Sequence, residues 1–554
     1  MLDNLDPTLL EPVAKPLRAP GEFGACLNQL GTYTTEHFVL RLSPRVHELV
    51  DAVTSGARAP GDVDGETIQA YSTYLHETIH WWQHIGSISG LILSLTYPAQ
   101  AHENLEHLEK VLKLVGPKKS LKRWAEDAAR AGLTDEDPGL RAANMAVNNA
   151  VDAEFYKIAT ITPALIPQAM KDPYFETVGH CYWMAYTHAV GLLAATVDRD
   201  WLHLPDTAGW QERFIRNRDA KLEGWARDTQ VRVAPLGLHA LFEGQARMIQ
   251  LQFLTFGMAN PPTLDALKDA GYFRGEYGKA FESFLKATNS ARPNFVDDPA
   301  VALFLLIVDL AINPTAGFPL DIESFENFII DVDPGIRFLR LCQSVREEHP
   351  ELLGRITEYS RQEYMQVADM LTKACGYDHP GVALSTIETW ATAMPGVAEI
   401  LAEKETFRFN PGNVVVRVLF SYFISFSIDK LKRPEFFCWP GAWLAAPRVS
   451  ENSQSLFLKY LSLFTDRADD DGIFPRNIPG KAPEAITKTL SNFYANIINY
   501  DLTRQWILDE GPFRYDFDWL TQTYSKAEMA DWAKTRFEQV FRVHPDTFEI
   551  LSSS

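Results

Sequence analysis

The sequence has few cysteines and a shortage of basic residues, and both exclude classes of function. Only five cysteines occur in 554 residues, and none stands in a CxxC pair. An odd, scattered set is typical of reduced, buried thiols and argues against a disulfide framework or a cysteine zinc site. Lys and Arg number 52 against 72 Asp and Glu, so the formal net charge is -20. Nucleic acids and anionic membranes attract basic surfaces, so we expect neither as a partner.

We also expect neither a secretion signal nor a membrane span. The segment MLDNLDPTLLEPVAKPLRAP, residues 1–20, has acids and prolines where a signal peptide needs a basic patch and an apolar run. The uncharged stretch HCYWMAYTHAVGLLAATV, residues 180–197, contains two histidines and has acidic residues at both flanks. A buried core helix accounts for this stretch better than a membrane span. We therefore expect a cytoplasmic protein.

Hydrophobic content of 46% and charged content of 22% are ordinary for a globular protein. The length predicts more than one lobe. The stretch NSARPNFVDDPA, residues 289–300, is the best candidate for a boundary. We expect an N-terminal helical lobe over 1–290 and a C-terminal helical lobe of unknown role over 291–554.

Apolar periodicity predicts a mainly α, multi-helix fold with few short strands near the N-terminus. HFVLRL, residues 37–42, is the clearest strand candidate, VVVRV at Val414 is ambiguous, and residues 466–484 are predicted to form a long exposed loop. The predicted helices cover about 66–85, 102–115, 119–131, 139–160, 174–197, 235–256, 264–286, 298–312, 351–374, 413–431, 484–507 and 526–541.

The segment YLHETIHWWQHIG, residues 74–86, places three histidines and a glutamate among apolar residues. No glycine or proline occurs between Glu66 and Ile85, so a helix of roughly five turns is expected. Such a helix is apolar around most of its circumference, which is typical of a core position, so its polar stripe should face an internal cleft. The stripe consists of Gln69, Thr73, His76, Glu77, His80, Gln83 and His84.

This stripe contains the HExxH pattern, with His76, Glu77 and His80 in the three defined positions. Histidines four residues apart on a helix point the same way and can share one metal ion, and the adjacent glutamate can reach a water on that ion. His84 lies one turn further along and diverges in direction, so we expect it to line the cleft rather than bind the metal.

A catalytic zinc usually takes three protein ligands, and the third is expected to be a carboxylate because cysteine is sparse. The helix GLHALFEGQARMIQLQF carries a second polar stripe formed by His239, Glu243, Arg247 and Gln250. Glu243 is the first candidate, since Gly244 and Ala246 would let another helix or a metal approach closely. The alternative for Glu243 is a buried ion pair with Arg247 at i+4.

LHETIHWWQ followed by LFEGQAR resembles the gluzincin type of zinc metallopeptidase, and is closest to bacterial proteins that pair HExxHxxQ with a distant EGxA helix. The resemblance implies that His76, His80 and Glu243 hold zinc and that Glu77 is the general base. It implies hydrolysis of a peptide or protein substrate. It covers two short segments and leaves the C-terminal half unexplained.

The chain departs from this family in two respects. His80 and Glu243 are 163 residues apart (243 − 80), much further than in thermolysin-like enzymes, and Arg247 stands where an acid is usual. Glu103 and Glu106 lie at the shorter spacing and rank second as ligands, because their pattern is that of a solvated helix. Side chains that could orient a ligand or stabilise an oxyanion are His84, His180, His188, His239 and Arg247.

Two other functions remain open at this stage. A carboxylate-bridged di-iron oxidase or oxygenase would use the ExxH formed by Glu77 and His80, with Glu154, Glu176, His180 and Glu243 as further ligands. Its weakness is that Glu176 and His180 are four residues apart instead of three. A non-catalytic helical scaffold or regulatory protein with a structural metal site is the third possibility.

Overall fold

A computed structural model describes residues 31–34, 37–54, 64–222, 234–256, 258–446 and 448–551. Cys26 and the segment 1–20 lie outside this range. The described residues form 23 α-helices and six short strands, so the predicted mainly α class is confirmed. The helices are α1 Pro44–Thr54, α2 Gly65–Gly86, α3 Ile88–Leu114, α4 Leu121–Arg130, α5 Pro138–Ile161, α6 Ile166–Ala169, α7 Val178–Val197, α8 Trp210–Asp219, α9 Leu238–Thr255, α10 Leu264–Asp269, α11 Glu276–Thr288, α12 Pro299–Ala311, α13 Phe328–Val332, α14 Pro334–Glu347, α15 Arg361–Cys375, α16 Pro380–Ala393, α17 Pro395–Thr406, α18 Val414–Lys432, α19 Pro434–Cys438, α20 Pro440–Leu444, α21 Glu451–Lys459, α22 Pro483–Leu508 and α23 Lys526–Phe541.

The strands form two small sheets. They are β1 Gly31–Thr34, β2 Val39–Leu42, β3 Lys118–Lys119, β4 Phe464–Arg467, β5 Asp470–Pro475 and β6 Glu549–Ile550. In the larger sheet the order is β1-β2-β4-β5, with β2 and β4 parallel and the outer pairs antiparallel. Strands from the two ends of the chain therefore pair, as do β3 and β6 in the smaller sheet.

The prediction of an exposed loop over 466–484 is wrong for the first part of the stretch, which forms the end of β4 and all of β5. Asp466 is 1% exposed, and its Oδ1 lies 2.6 Å from His47 Nε2 and accepts a hydrogen bond from the Leu42 amide. An acidic run is typical of solvent-exposed loops, but here partners from the N-terminal region bind one oxygen of a buried carboxylate.

The two helices that carry the polar stripes match their predicted bounds closely. The helix predicted over 66–85 corresponds to α2, and the helix predicted over 235–256 corresponds to α9. Two other predicted helices are divided in the structure. The stretch 264–286 forms α10 and α11, with Gly271 and Gly275 at positive φ between them. The stretch 351–374 forms a 3-10 turn over Pro350–Gly354 and then α15. Positive φ favours glycine and interrupts a helix.

One connected cluster of buried side chains includes residues on both sides of position 290, such as Leu251 in α9 and Phe426 in α18. The division into lobes over 1–290 and 291–554 stays a prediction. Within the described ranges, no helix combines the length and apolar character that a membrane crossing requires.

Helix α2 lies inside this cluster and packs against α1, α3, α9 and α18. It begins after Asp64, whose carboxylate accepts a hydrogen bond from the Thr67 amide and so caps the helix. Trp81 is fully buried and Trp82 is 4% exposed, and the Trp82 indole donates to the Tyr460 carbonyl. These contacts fix the rotation of α2, and they determine where its polar stripe points.

Candidate metal centre

The polar stripe of α2 is buried, as the sequence predicted. Gln69, Thr73 and Gln83 are at most 4% exposed, and His76 and Glu77 are each 5% exposed. Ile68, an apolar residue near the start of the helix, is 40% exposed. Buried polar groups are costly unless they find partners, so the neighbours of the stripe determine its role.

Helix α9 places Glu243 directly against the two histidines of α2. Glu243 Oε2 lies 3.4 Å from His76 Nε2 and 3.5 Å from His80 Nε2. The two Nε2 atoms are 3.2 Å apart. Among the described residues, these three side chains bring ligand atoms within 4.8 Å of one another. Two imidazoles and a carboxylate with that spacing could hold one metal ion, and His₂Glu is a donor set that is known from catalytic zinc sites.

Contacts with three other elements fix the position of α9. A Cβ at Gly237, which precedes the helix, would lie 2.5 Å from the Thr160 carbonyl oxygen at the end of α5. A Cβ at Gly244 would lie 3.0 Å from Ala280 Cβ in α11. Gly244 thus permits the close approach of another helix, as the sequence suggested, and that helix is α11. A Cβ at Gly441 in α20 would lie 2.2 Å from the Ile249 carbonyl oxygen.

Burial and charge act differently on the two histidines. Burial lowers the pKa of His76 to about 4. Burial also opposes a proton on His80, but the Glu243 carboxylate outweighs it and raises the pKa of His80 to about 9. Burial would raise the pKa of Glu243, yet the two histidines hold it well below its usual value. For His80 and Glu243, the charge of the partner therefore decides the direction of the pKa shift, whereas burial decides it for His76.

Glu77 lies beside the first histidine on α2, as HExxH requires. Burial raises the pKa of its carboxyl to about 8, against the opposing effects of His80 and Arg247. Among the described residues, Glu77 Oε2 and His76 Nδ1 have no hydrogen-bond partner, and Glu243 Oε2 has only its longer contacts with the two histidines. A bound cation and its water would satisfy buried polar atoms of this kind.

Arg247 and Tyr277 lie next to the centre, and sequence reasoning did not identify Tyr277. Arg247 is 1% exposed, and its guanidinium lies 4.0 Å above the Tyr277 ring. It donates to Gln250 Oε1, and the Tyr277 ring packs edge-on to His76 with centroids 5.8 Å apart. Glu243 contacts the histidines rather than Arg247, so the geometry favours a ligand role for Glu243 over the ion-pair alternative.

His239 lies on the solvent side of the centre. It is the most exposed side chain of the group at 51%, and its Nε2 is 3.9 Å from Glu243 Oε1. The Glu243 side chain is 22% exposed, whereas those of His76 and His80 are 7% and 11% exposed. The centre is therefore closest to solvent along the side of α9 on which His239 lies.

Other side chains that the sequence suggested for the site lie away from His76, His80 and Glu243. His84 bonds to Ser94 of α3 through Nδ1, at 3.2 Å, and its ring packs against Phe242. Glu106 is exposed and pairs with Lys110. Glu103 is partly buried rather than solvated, and burial raises its pKa. Neither acid joins the two histidines.

His180 belongs to a separate cluster and lines a cavity of about 240 Å³ with Asp152 and Glu176. Its Nε2 is 3.1 Å from Asp152 Oδ2, and its Nδ1 is 3.5 Å from Glu176 Oε2. The two carboxylates thus approach opposite nitrogens of one ring, and no single ion can bind all three groups. His188 lies on the same helix, α7, and burial lowers its pKa to about 4.

The di-iron ligand set is likewise not assembled. Glu154 pairs with Arg504 at 3.0 Å and with Lys157 at 3.3 Å. Glu176 pairs with Arg218 at 2.9 Å. These carboxylates already have cationic partners, and they lie apart from the group formed by His76, His80 and Glu243.

Comparisons with protein-family descriptions, with curated proteins and with solved structures found no match to this chain. The geometry of the centre is therefore the observation that bears on function.

Proposed function

We propose that this protein is a zinc-dependent, metallopeptidase-like hydrolase that cleaves peptide or amide bonds. The observation that supports this most strongly is the convergence of His76, His80 and Glu243 within 4.8 Å on two packed helices. Glu77, which follows His76 on α2, adds a carboxylate beside the same group. This arrangement matches the gluzincin pattern that the two sequence segments resemble.

His76 and His80 would bind zinc through Nε2, and Glu243 would bind it through Oε2. Zinc held by three protein ligands keeps a position for water, lowers the pKa of that water and polarises a substrate carbonyl. Glu77 accepts the proton of the attacking water and delivers it to the departing amine. His239 and Arg247 flank Glu243 on α9 and are the proposed donors to the negative charge that develops on the substrate oxygen.

We also propose a cytoplasmic location, because the four described cysteines, Cys181, Cys342, Cys375 and Cys438, are all free and buried. The proposed substrate is a peptide or protein, and the acidic chain gives no reason to expect a nucleic acid.

The replacement Glu77→Gln tests the assignment of the base. The amide preserves the shape of the side chain but cannot accept a proton, so we expect zinc to stay bound while hydrolysis of a peptide library falls by at least about 100-fold. Glu103→Gln is the matched control, since it changes a partly buried acid that lies outside the centre. Cleavage by Glu77→Gln at the parent rate would exclude Glu77 as the base. A parent protein that holds zinc but cleaves no peptide would favour the structural-site alternative.

A further inference from the structure

Gln83 lies one turn beyond His80 on α2 and links this histidine to α9. Its Oε1 is 2.8 Å from His80 Nδ1. Its Nε2 donates to the Phe242 carbonyl at 3.0 Å and to Gln245 Oε1 at 2.9 Å. Gln83 is 3% exposed, so these protein groups are the partners that decide its orientation.

The Phe242 carbonyl determines which way the Gln83 amide points. A backbone carbonyl only accepts hydrogen bonds, so the amide nitrogen must face Phe242 and the amide oxygen must face His80. An amide oxygen also only accepts, so His80 carries a hydrogen on Nδ1. The metal-binding lone pair is thereby assigned to Nε2, which lies 3.5 Å from Glu243 Oε2.

The other histidine has no equivalent support among the described residues, where the buried His76 Nδ1 finds no hydrogen-bond partner. Histidines that bind metals usually donate their other ring N–H to an acceptor, which fixes the tautomer and the ring orientation. Phe242 immediately precedes Glu243 in the chain. One amide therefore orients His80 and also bonds to the backbone next to the carboxylate ligand.

We propose that Gln83 is a positioning residue that fixes the Nδ1–H tautomer of His80 and so presents Nε2 to the metal. The inference depends on the proposed zinc-binding role of His80 and goes beyond it by assigning the group that prepares this ligand. Loss of such a partner typically weakens metal affinity about 10- to 100-fold.

The test compares the zinc Kd of Gln83→Glu and Gln83→Met, measured by competition with a chelator, with that of the parent. Gln83→Glu keeps an acceptor for His80 Nδ1, and Gln83→Met removes it. We expect zinc binding by Gln83→Glu to stay close to that of the parent, and binding by Gln83→Met to weaken about 10- to 100-fold. Gln252→Met is the matched control, because it changes a fully buried glutamine of α9 outside the centre and should leave zinc affinity unchanged.

If Gln83 only joined α2 to α9, the two variants would show the opposite order of zinc affinity. The carboxylate of Gln83→Glu would face the Phe242 carbonyl and could not donate to it, so it would disturb the helix contact more than methionine would. Weaker zinc binding by Gln83→Glu than by Gln83→Met, or parent-like binding by both, would overturn the inference. A parent protein that binds no zinc would instead refute the proposed function, and with it this assignment.

Discussion

Replacement of Glu243 by glutamine removes the ligand carboxylate while preserving the size of the side chain. In the structure its Oε2 contacts the Nε2 atoms of both histidines, at 3.4 and 3.5 Å. A residue that only orients a metal ligand contributes about 10- to 100-fold to affinity, and a ligand itself should contribute more. We therefore expect Glu243→Gln to weaken zinc binding by at least about 100-fold, which corresponds to about 2.7 kcal/mol.

This difference can be read from thermal unfolding. With free zinc at 100 times the parent Kd, binding stabilises the parent by about 2.7 kcal/mol, but a variant with 100-fold weaker binding gains only about 0.4 kcal/mol. For 554 residues the entropy of unfolding is about 1.2 kcal/mol/K. Zinc should therefore raise the Tm of the parent by about 2 °C and that of the variant by about 0.3 °C.

The assay is a melt of each metal-free protein with and without zinc, so that each variant serves as its own reference. Glu103→Gln and Glu106→Gln are controls that should respond to zinc as the parent does. An equal zinc-induced shift in Glu243→Gln and the parent would refute the ligand assignment. Loss of the shift in Glu103→Gln or Glu106→Gln would move the third ligand to α3.

Three further predictions concern residues around the centre. Glu154→Gln and Glu176→Gln should bind zinc like the parent in the same melt, because both acids have other partners; loss of zinc in both would favour the di-iron alternative. Burial lowers the pKa of His84 from 6.5 to about 3, so its contribution to stability is present above pH 6.5 and is lost as the pH falls toward 3. Between pH 7 and pH 5 the free energy of unfolding, measured with urea, should fall by about 2 kcal/mol more for the parent than for His84→Asn. An equal fall in both proteins would contradict this. Trp82→Ala should lower the free energy of unfolding by about 3–5 kcal/mol, because it leaves a cavity in the core. Leu202→Ala should change it little, because Leu202 is 73% exposed.

Helical periodicity was enough to predict α2 and α9 nearly to the residue, and the i,i+4 spacing on each helix was enough to select His76, His80 and Glu243. These features are local, because side chains one turn apart share a face whatever the rest of the chain does. The start of α3 was not predicted, since Ser87, Gly90 and Pro98 break the apolar pattern in sequence. In the structure Ser87 caps the helix and Pro98 lies inside it.

The features that sequence could not predict depend on contacts between distant segments. The contact of Gly244 with α11, the position of Tyr277 beside His76, and the pairing of Asp466 with His47 all join residues that no local pattern connects. The sequence suggested His180 as a side chain that could stabilise an oxyanion, or as a ligand in the di-iron alternative. The packing of α5 against α7 instead pairs it with Asp152, and its own helix-capping region supplies Glu176.

The metal content of the protein purified without added metal, measured by mass spectrometry and repeated for His76→Ala, tests the proposed zinc centre most directly. We expect about one zinc per chain in the parent and a large loss in the variant, because His76 is one of the three proposed ligands. About two irons per chain, no bound metal, or zinc fully retained by His76→Ala would contradict it.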